Sequence, residues 1–373
     1  MKTRLLFTLL FIAFIQLAFA QTTSIPDPNF EQALIDLGID SDGVINGQVL
    51  TADIENVLTL DVENKNIVDL TGIEDFSSLE ELNCGDNQLT FLNIAQNSLL
   101  SLLDTRYNQL NSIDVTQNTA LTQLRLSVNQ LNSVDVSQNI NLVFLSVSEN
   151  LLTDLDISQN INLESLYSNT NQLVNLDMTQ NIEIISLNCL FNQLTSINVS
   201  NNTLLAQLAV SGNQLTSLDI SNNALLENVN TSYNLLESLN LKNGNTIGIL
   251  NMQSNNNPNL ECIQVDEDIV DNVPVAGWNY DTGVTFSEDC EYLGNIDNGF
   301  YEIAIYPNPT NNKIMVATEN GNNIESLQLY SIMGKQLLIT NSAEIDLSAL
   351  PTGMYLLKVK TNNGIISKKV IKE

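Results

Sequence analysis

The stretch LTQLRLSVNQLNSVDVSQNIN, Leu121 to Asn141, decides the fold. It opens on Leu121, places Leu124, Leu126, Leu131, Val134 and Val136 at offsets +3, +5, +10, +13 and +15, and carries Asn129 at +8 and Asn139 at +18. Leu142 then starts the pattern again. In both directions the opening residue returns every 21 residues, as Leu79, Leu100, Leu121, Leu142, Leu163, Ile184, Leu205, Leu226 and Ile247. The +8 asparagine returns with it, from Asn87 through Asn108, Asn129, Asn150, Asn171, Asn192, Asn213 and Asn234 to Asn255. A fixed period this short means a solenoid, in which each repeat buries its apolar face against its neighbours. Such a fold more often builds an extended binding surface than a catalytic pocket.

Alternation at +3 and +5 is the period of a strand with one face buried. Stacked repeats therefore predict a parallel sheet, one strand per coil, with strands about 4.8 Å apart. The +3 column runs from Leu82 to Leu250, the +5 column from Cys84 to Met252, and the +13 column from Leu92 to Leu260. Cys84 and Cys189 share the inward +5 column five repeats apart, about 24 Å, which is beyond disulfide reach. Both are expected as buried free thiols. The +8 asparagines sit where the chain turns, and their amides can satisfy backbone groups that a turn leaves unpaired. A second column at +18, Asn97 to Asn223, predicts the same role at the opposite corner. In the next coil Gly244 breaks it, which predicts a looser corner there.

The pattern Leu-x-x-Leu-x-(apolar)-x-x-Asn-x-Leu resembles the leucine-rich repeats of bacterial surface proteins, over residues 79–260. One earlier coil, with Val57, Leu60, Val62, Ile67, Leu70 and Ile73, steps 22 residues to Leu79 and ends in Leu70-Thr71-Gly72-Ile73, as in internalin-type repeats. The resemblance implies a curved solenoid of residues 57–260 with its parallel strands on the concave side, where proteins of this kind bind ligands.

A solenoid needs caps. Pro26-Asp27-Pro28 followed by Phe30, Ala33, Leu34 and Leu37 predicts a short amphipathic helix within an N-terminal cap, residues 21–56. Asp40-Ser41-Asp42-Gly43 lacks the key ligands of a calcium loop and is expected as turn chemistry. Residues 261–299 are expected as a C-terminal cap and linker, in which Cys262 and Cys290 form a disulfide. The chain-entropy estimate for a loop of that size is about 3–4 kcal/mol.

From about residue 300 the pattern changes to short strands broken by Pro, Asn and Gly, which predicts a small β-sandwich. Expected strands are Lys313–Ala317, Ser326–Tyr330, Tyr355–Val359 and Ile365–Val370. Tyr306-Pro307-Asn308-Pro309, then Leu329 to Lys335, Ile345-Asp346-Leu347, Leu350 to Tyr355 and the lysine-rich end Lys368 to Lys372 follow in order. This series resembles the type A C-terminal sorting domain of the type IX secretion system. The resemblance implies an immunoglobulin-like domain over residues 300–373 that engages the secretion machinery, carries the protein across the outer membrane and is usually removed.

Residues 1–20 read as a secretory signal peptide: Lys2 and Arg4, an apolar run from Leu5 to Leu17, and Ala18-Phe19-Ala20. No later stretch is long enough for a membrane span. The chain has no histidine, which removes the commonest general base and metal ligand, and no nucleophile–base set, metal cluster or phosphate loop is visible. No cofactor and no catalysis are expected. Residues 21–299 hold 37 acids against Lys65, Arg106, Arg125 and Lys242, whereas residues 300–373 hold 6 acids and 7 lysines. Such an acidic body repels nucleic acid.

Alternation turns +2, +4 and +6 outward, with +7 at the sheet edge. Most side chains there are small or amides. The exceptions Arg106, Tyr107, Arg125, Phe144, Tyr167, Phe191 and Tyr233 are the candidate ligand-binding residues, of types enriched at interfaces. Arg125 lies beside Asp104 of the preceding strand and could simply pair with it. A protein partner is the leading expectation; a carbohydrate stacked on the aromatics is the alternative. An outward +14 column, with Asp114, Asp135, Asp156 and Asp177, is expected as solvated turn residues.

Overall fold

A computed structural model describes residues 21–270, 272, 275–290, 303–318, 323–331, 335–361 and 364–373. The expected signal peptide, the linker residues 291–299 and the motif residues Met333 and Gly334 lie outside them. The chain divides into two compact units, residues 1–288 and 289–373.

The first unit is built on an eleven-stranded sheet running in order from Thr59–Asp61 to Trp278–Asn279. Every pairing in it is parallel, and residues one period apart face each other: Leu103 pairs with Leu124, Leu124 with Leu145, and Leu145 with Leu166. The predicted columns form one continuous core. Leu79, Leu82, Cys84, Leu89 and their equivalents are fully buried, whereas +13 sits at the margin, with Ile113, Val134 and Ile197 only partly buried. Cys84 and Cys189 are buried and free. Burial pushes the Cys189 thiol up to about 12, and the Cys84 thiol higher still, with the Asp104 charge adding to it.

Each strand is only about three residues long because the chain turns sharply at +7. Asp86, Tyr107, Val128, Glu149, Thr170, Phe191 and Tyr233 all adopt φ between 51° and 58°, and Gly212 adopts 70°. The asparagine that follows ties the turn down. In Asn108, Nδ2 donates to Cys84 O and Thr105 O, both at 3.0 Å, and Oδ1 accepts from Leu89 N at 2.9 Å. One side chain thus joins backbone groups of two coils, and Asn129, Asn150, Asn171, Asn192, Asn213 and Asn234 repeat the arrangement. At the other corner the +18 amides donate up the stack, as Asn118 Nδ2 does to Ile94 O and Asn97 O.

The ninth coil departs from the sequence reading. Ile247 and Leu250 are each 59% exposed, whereas Ile249 and Met252 are fully buried. Asn257, not Asn255, is the ladder residue: its Nδ2 donates to Thr231 O, and its Oδ1 accepts from Leu236 N. Two extra residues at the corner cause the slip. Asn228 pairs with Asn251, 23 residues on. At that corner Asn243 Nδ2 donates to Asn223 O, so an amide continues the +18 ladder beside Gly244. Leu260 consequently fills the +10 place, and Ile263 pairs with Leu239 in the +13 place.

Stacking also continues beyond Leu260. Strands Ser217–Asp219, Ser238–Asn240, Cys262–Gln264 and Thr285–Ser287 make a second parallel sheet on the return stretch of the last coils. The terminal coil plugs the core with aromatics. Trp278 Nε1 donates to Ile249 O at 2.8 Å, and Phe286 lies 5.9 Å from Trp278 and 4.9 Å from Tyr280, ring centre to ring centre. Cys262 and Cys290 form a disulfide, as expected.

At the opposite end, helix α1 (Pro28–Asp36) buries Phe30, Ala33 and Leu34, with Phe30 against Phe76 of the first repeat. Leu37, the last residue of the expected apolar face, is instead exposed at the helix C-cap. Asp27 both caps α1 and docks it: Oδ1 accepts from Asn29 N, and Oδ2 accepts from Val68 N and Asp69 N of the first coil.

The second unit has two antiparallel sheets. Ile303–Tyr306, Lys313–Thr318 and Glu344–Asp346 form one; Gln336–Thr340, Ile324–Ser331, Gly353–Thr361 and Gly364–Lys372 form the other. They share a core of Ile314, Val316, Leu327, Leu329, Ile345, Leu357 and Val359, among others. The four expected strands are present with longer bounds, and three short strands are added. Tyr355 donates its hydroxyl to Pro351 O at 2.6 Å, a tyrosine-corner arrangement that pins the preceding turn.

Candidate binding face

The outward face of the eleven-stranded sheet presents +2 and +4 side chains in rows, and between Leu102 and Tyr167 those rows join. Register pairing places Asp104 beside Arg125, Gln123 beside Phe144, and Ser146 beside Tyr167. Asp104 is buried, and both arginines reach it. Arg106 Nη2 lies 2.7 Å from Asp104 Oδ2, and Arg106 Nε donates to both carboxylate oxygens, at 2.9 and 3.0 Å. Arg125 Nη1 is 3.6 Å away, and Arg125 Nη2 donates to Gln123 Oε1 at 2.8 Å. The Asp104 hydrogen bond holds the Arg106 pKa above its usual value. The pairing expected of Arg125 therefore falls mainly to Arg106, two residues along the same coil.

Freed from a tight pair, the Arg125 guanidinium lies 5.4 Å from the Phe144 ring centre, in cation–π range. Phe144 in turn packs against Tyr167 at 5.5 Å. Arg106, Asp104, Arg125, Phe144 and Tyr167 thus make one connected chain of contacts across four strands. Tyr107 flanks it from the edge, 56% exposed. Phe191 and Tyr233 are separate from this group, further along the solenoid and also exposed.

The +7 side chains are the feature that strand alternation misses. Left-handed backbone favours Gly, Asn and Asp, so Tyr107, Val128, Phe191 and Tyr233 stand there at a steric cost of roughly 1–2 kcal/mol each. Asp86 and Gly212 in the same column are the signal that could have revealed the turn.

The aspartate column has a local structural role. Asp114, Asp135, Asp156 and Asp177 each accept from the backbone N–H two residues on, at 2.9 Å. Those bonds, with the hydroxyls of Thr116, Ser137, Ser158 and Thr179, hold the four carboxyls below their ordinary pKa. The hydroxyl contributes most at Asp114 and Asp177, the backbone N–H at Asp135 and Asp156.

In the second unit the motif residues hold the last strand. Asn308 Nδ2 donates to Lys369 O, and Asn308 Oδ1 accepts from Ile371 N, both at 2.8 Å. Lys372 is buried and donates its ammonium to the Ser348 and Leu350 carbonyls. The Pro-Asn-Pro segment and the terminal lysine therefore lock the C-terminal edge in place.

Residues 304–373 match the family described as the secretion system C-terminal sorting domain. A search of curated proteins finds no match. Among solved structures, an internalin C2 from Listeria monocytogenes is 23% identical, with a TM-score of 0.52, over 57% of this chain and 99% of that one. An internalin F from the same organism is 18% identical, with a TM-score of 0.51, over 71% and 96%. The functional domain of Listeria monocytogenes InlJ is 22% identical over 95% and 99%, with a TM-score of 0.43. The internalin C2 and internalin F likenesses concern the fold, and the fold is the leucine-rich-repeat solenoid read from the sequence. Among the described residues no helix is long and apolar enough to cross a membrane. Residues 304–373 are a type IX secretion system C-terminal sorting domain, and the chain that carries it is a leucine-rich-repeat protein exported to the cell surface or secreted.

Proposed function

We propose that this exported protein is a non-catalytic binder that takes a protein partner on the strand face of its solenoid, through Arg106, Tyr107, Arg125, Phe144 and Tyr167. One observation carries the reading: a buried carboxylate, two arginines and two aromatics form an unbroken run across four strands. Exposed Arg, Tyr and Phe clustered on a rigid scaffold are the composition of interface hot spots. Asp104 orients both guanidiniums before any partner arrives, which lowers the ordering cost of binding. The sorting domain delivers this face to the exterior and meets the secretion machinery on the way.

A photo-crosslinking residue in place of Phe144, in the full chain expressed in its own host, tests the reading. The expected result is a discrete crosslinked protein that is absent when the same group replaces Val68, exposed in the first coil. Equal crosslinking at both positions, or none at 144, counts against it.

A further inference from the structure

The strand face changes chemistry halfway along. Glu81, Asp104 and Arg125 stand on its first strands, but Ser186–Asn188, Gln207–Ala209, Asn228–Asn230 and Asn251–Gln253 carry no charge at all, in a chain of net charge −30. Amides take the outward places there, and their oxygens are already engaged. Asn188 Oδ1 accepts from Leu190 N, and Asn230 Oδ1 from Ser232 N. Gln207 Oε1 accepts from Ser186, Asn228 Oδ1 from Asn251 and Gln253 Oε1 from Asn279. The side-chain nitrogens of Asn188, Gln207, Asn228, Asn230 and Gln253 have no hydrogen-bond partner within the described residues. The face thus offers a row of neutral donors. At Asn188 and Asn230 a backbone N–H fixes which end of the amide faces outward.

An aromatic rail borders this row. Phe191 and Tyr233 are 58% and 59% exposed and sit two coils apart, about 10 Å. Gly212 lies between them. A Cβ at Gly212 would come within 2.5 Å of Phe191 Cδ1, so the Phe191 ring rests over the glycine and keeps its other side open. Both aromatics hold the left-handed backbone that glycine takes without strain. A turn alone does not call for them.

We infer that this C-terminal half of the strand face is a second binding site, for a neutral polysaccharide. The apolar C–H face of a pyranose ring packs on the negative face of an aromatic ring. Sugar hydroxyl and ring oxygens accept from a row of amide N–H groups without any charge being desolvated. The aromatic spacing is about the length of a disaccharide. An acidic polysaccharide would be repelled by the net charge of the solenoid. This inference does not rest on the protein-binding patch, which lies on earlier coils.

A glycan array of neutral and acidic oligosaccharides, probed with the purified full chain, tests it. The expected result is retention on neutral glycans, weakened at least tenfold in both Phe191→Ala and Tyr233→Ala and unchanged in Arg125→Ala. Thermal melts of the two aromatic variants should overlay the parent, since both rings lie outside the core. Retention on acidic glycans alone, no retention, or undiminished retention by both aromatic variants would overturn the inference. The Arg125→Ala arm keeps this outcome separate from that of the protein-binding patch.

Discussion

Asp104 holds Arg106 more tightly than it holds Arg125: the closest nitrogen–oxygen distances are 2.7 and 3.6 Å. The two arginines therefore differ in kind. Arg106 neutralises a buried carboxylate, whereas Arg125 is free to lie over Phe144. Arg106→Ala should destabilise the fold by about 2 kcal/mol, in the range for a lost charge-assisted hydrogen bond that leaves its partner buried. Arg125→Ala should leave denaturant midpoints nearly unchanged. The double change with Asp104→Ala should recover part of the Arg106→Ala loss, which a double-mutant cycle in urea would read. Equal effects of the two single variants would contradict this division of roles.

The asparagine ladder predicts a larger structural effect from a smaller change. Asn150 Nδ2 donates to Leu126 O, Val147 O and Ser148 O, and its Oδ1 accepts from Leu131 N. Asn150→Ala leaves these buried backbone groups unpaired and should cost about 3 kcal/mol or more. Asn257→Ala should behave the same way and Asn255→Ala should not. That contrast, read from thermal melts, checks the two-residue slip of the ninth coil.

The aspartate column predicts a pH dependence. Hydrogen bonding lowers the Asp114 pKa from its ordinary value of 3.8. A carboxyl with a depressed folded-state pKa contributes stability above the unfolded value, and loses it as pH falls through the folded value. Asp114→Ala should therefore lower the urea midpoint at pH 7. Its difference from the parent should close as pH drops below 3.8. A difference constant across that window would mean that the charge plays no part.

Export gives a cellular prediction. Without residues 302–373 the protein should accumulate in the periplasm, and cell fractionation would show it there. A milder variant follows from the geometry. Asn308→Ala removes both bonds to the last strand and should reduce surface delivery, whereas Lys335→Ala, at an exposed turn, should not. Normal surface delivery of the truncated chain would contradict the role of the tail.

Much of this was legible in the sequence because a solenoid is nearly one-dimensional: each residue meets its copy one coil away, so a column of letters is a column in space. Leu121, Asn129 and Asn139 predicted their own surroundings. The failures arose where that identity breaks. Two inserted residues near Gly244 shifted the phase, while Ile247 and Leu250 still fell on the old template by coincidence, so pattern matching held when burial did not. The left-handed +7 turn was hidden because Tyr107, Val128 and Phe191 are residue types that reason from propensity does not place there. Alternation correctly set Asp104 beside Arg125. Competition from Arg106, two residues along its own coil, depends on side-chain reach and lies outside any column.

The central claim is that the face from Arg106 to Tyr167 binds a protein outside the cell. Once crosslinking at position 144 has supplied the partner, a binding titration of the full chain against Tyr167→Ala tests that claim most directly. Loss of a hot-spot tyrosine predicts about thirtyfold weaker binding, roughly 2 kcal/mol, with thermal melts that overlay. Equal affinity in parent and variant would contradict it.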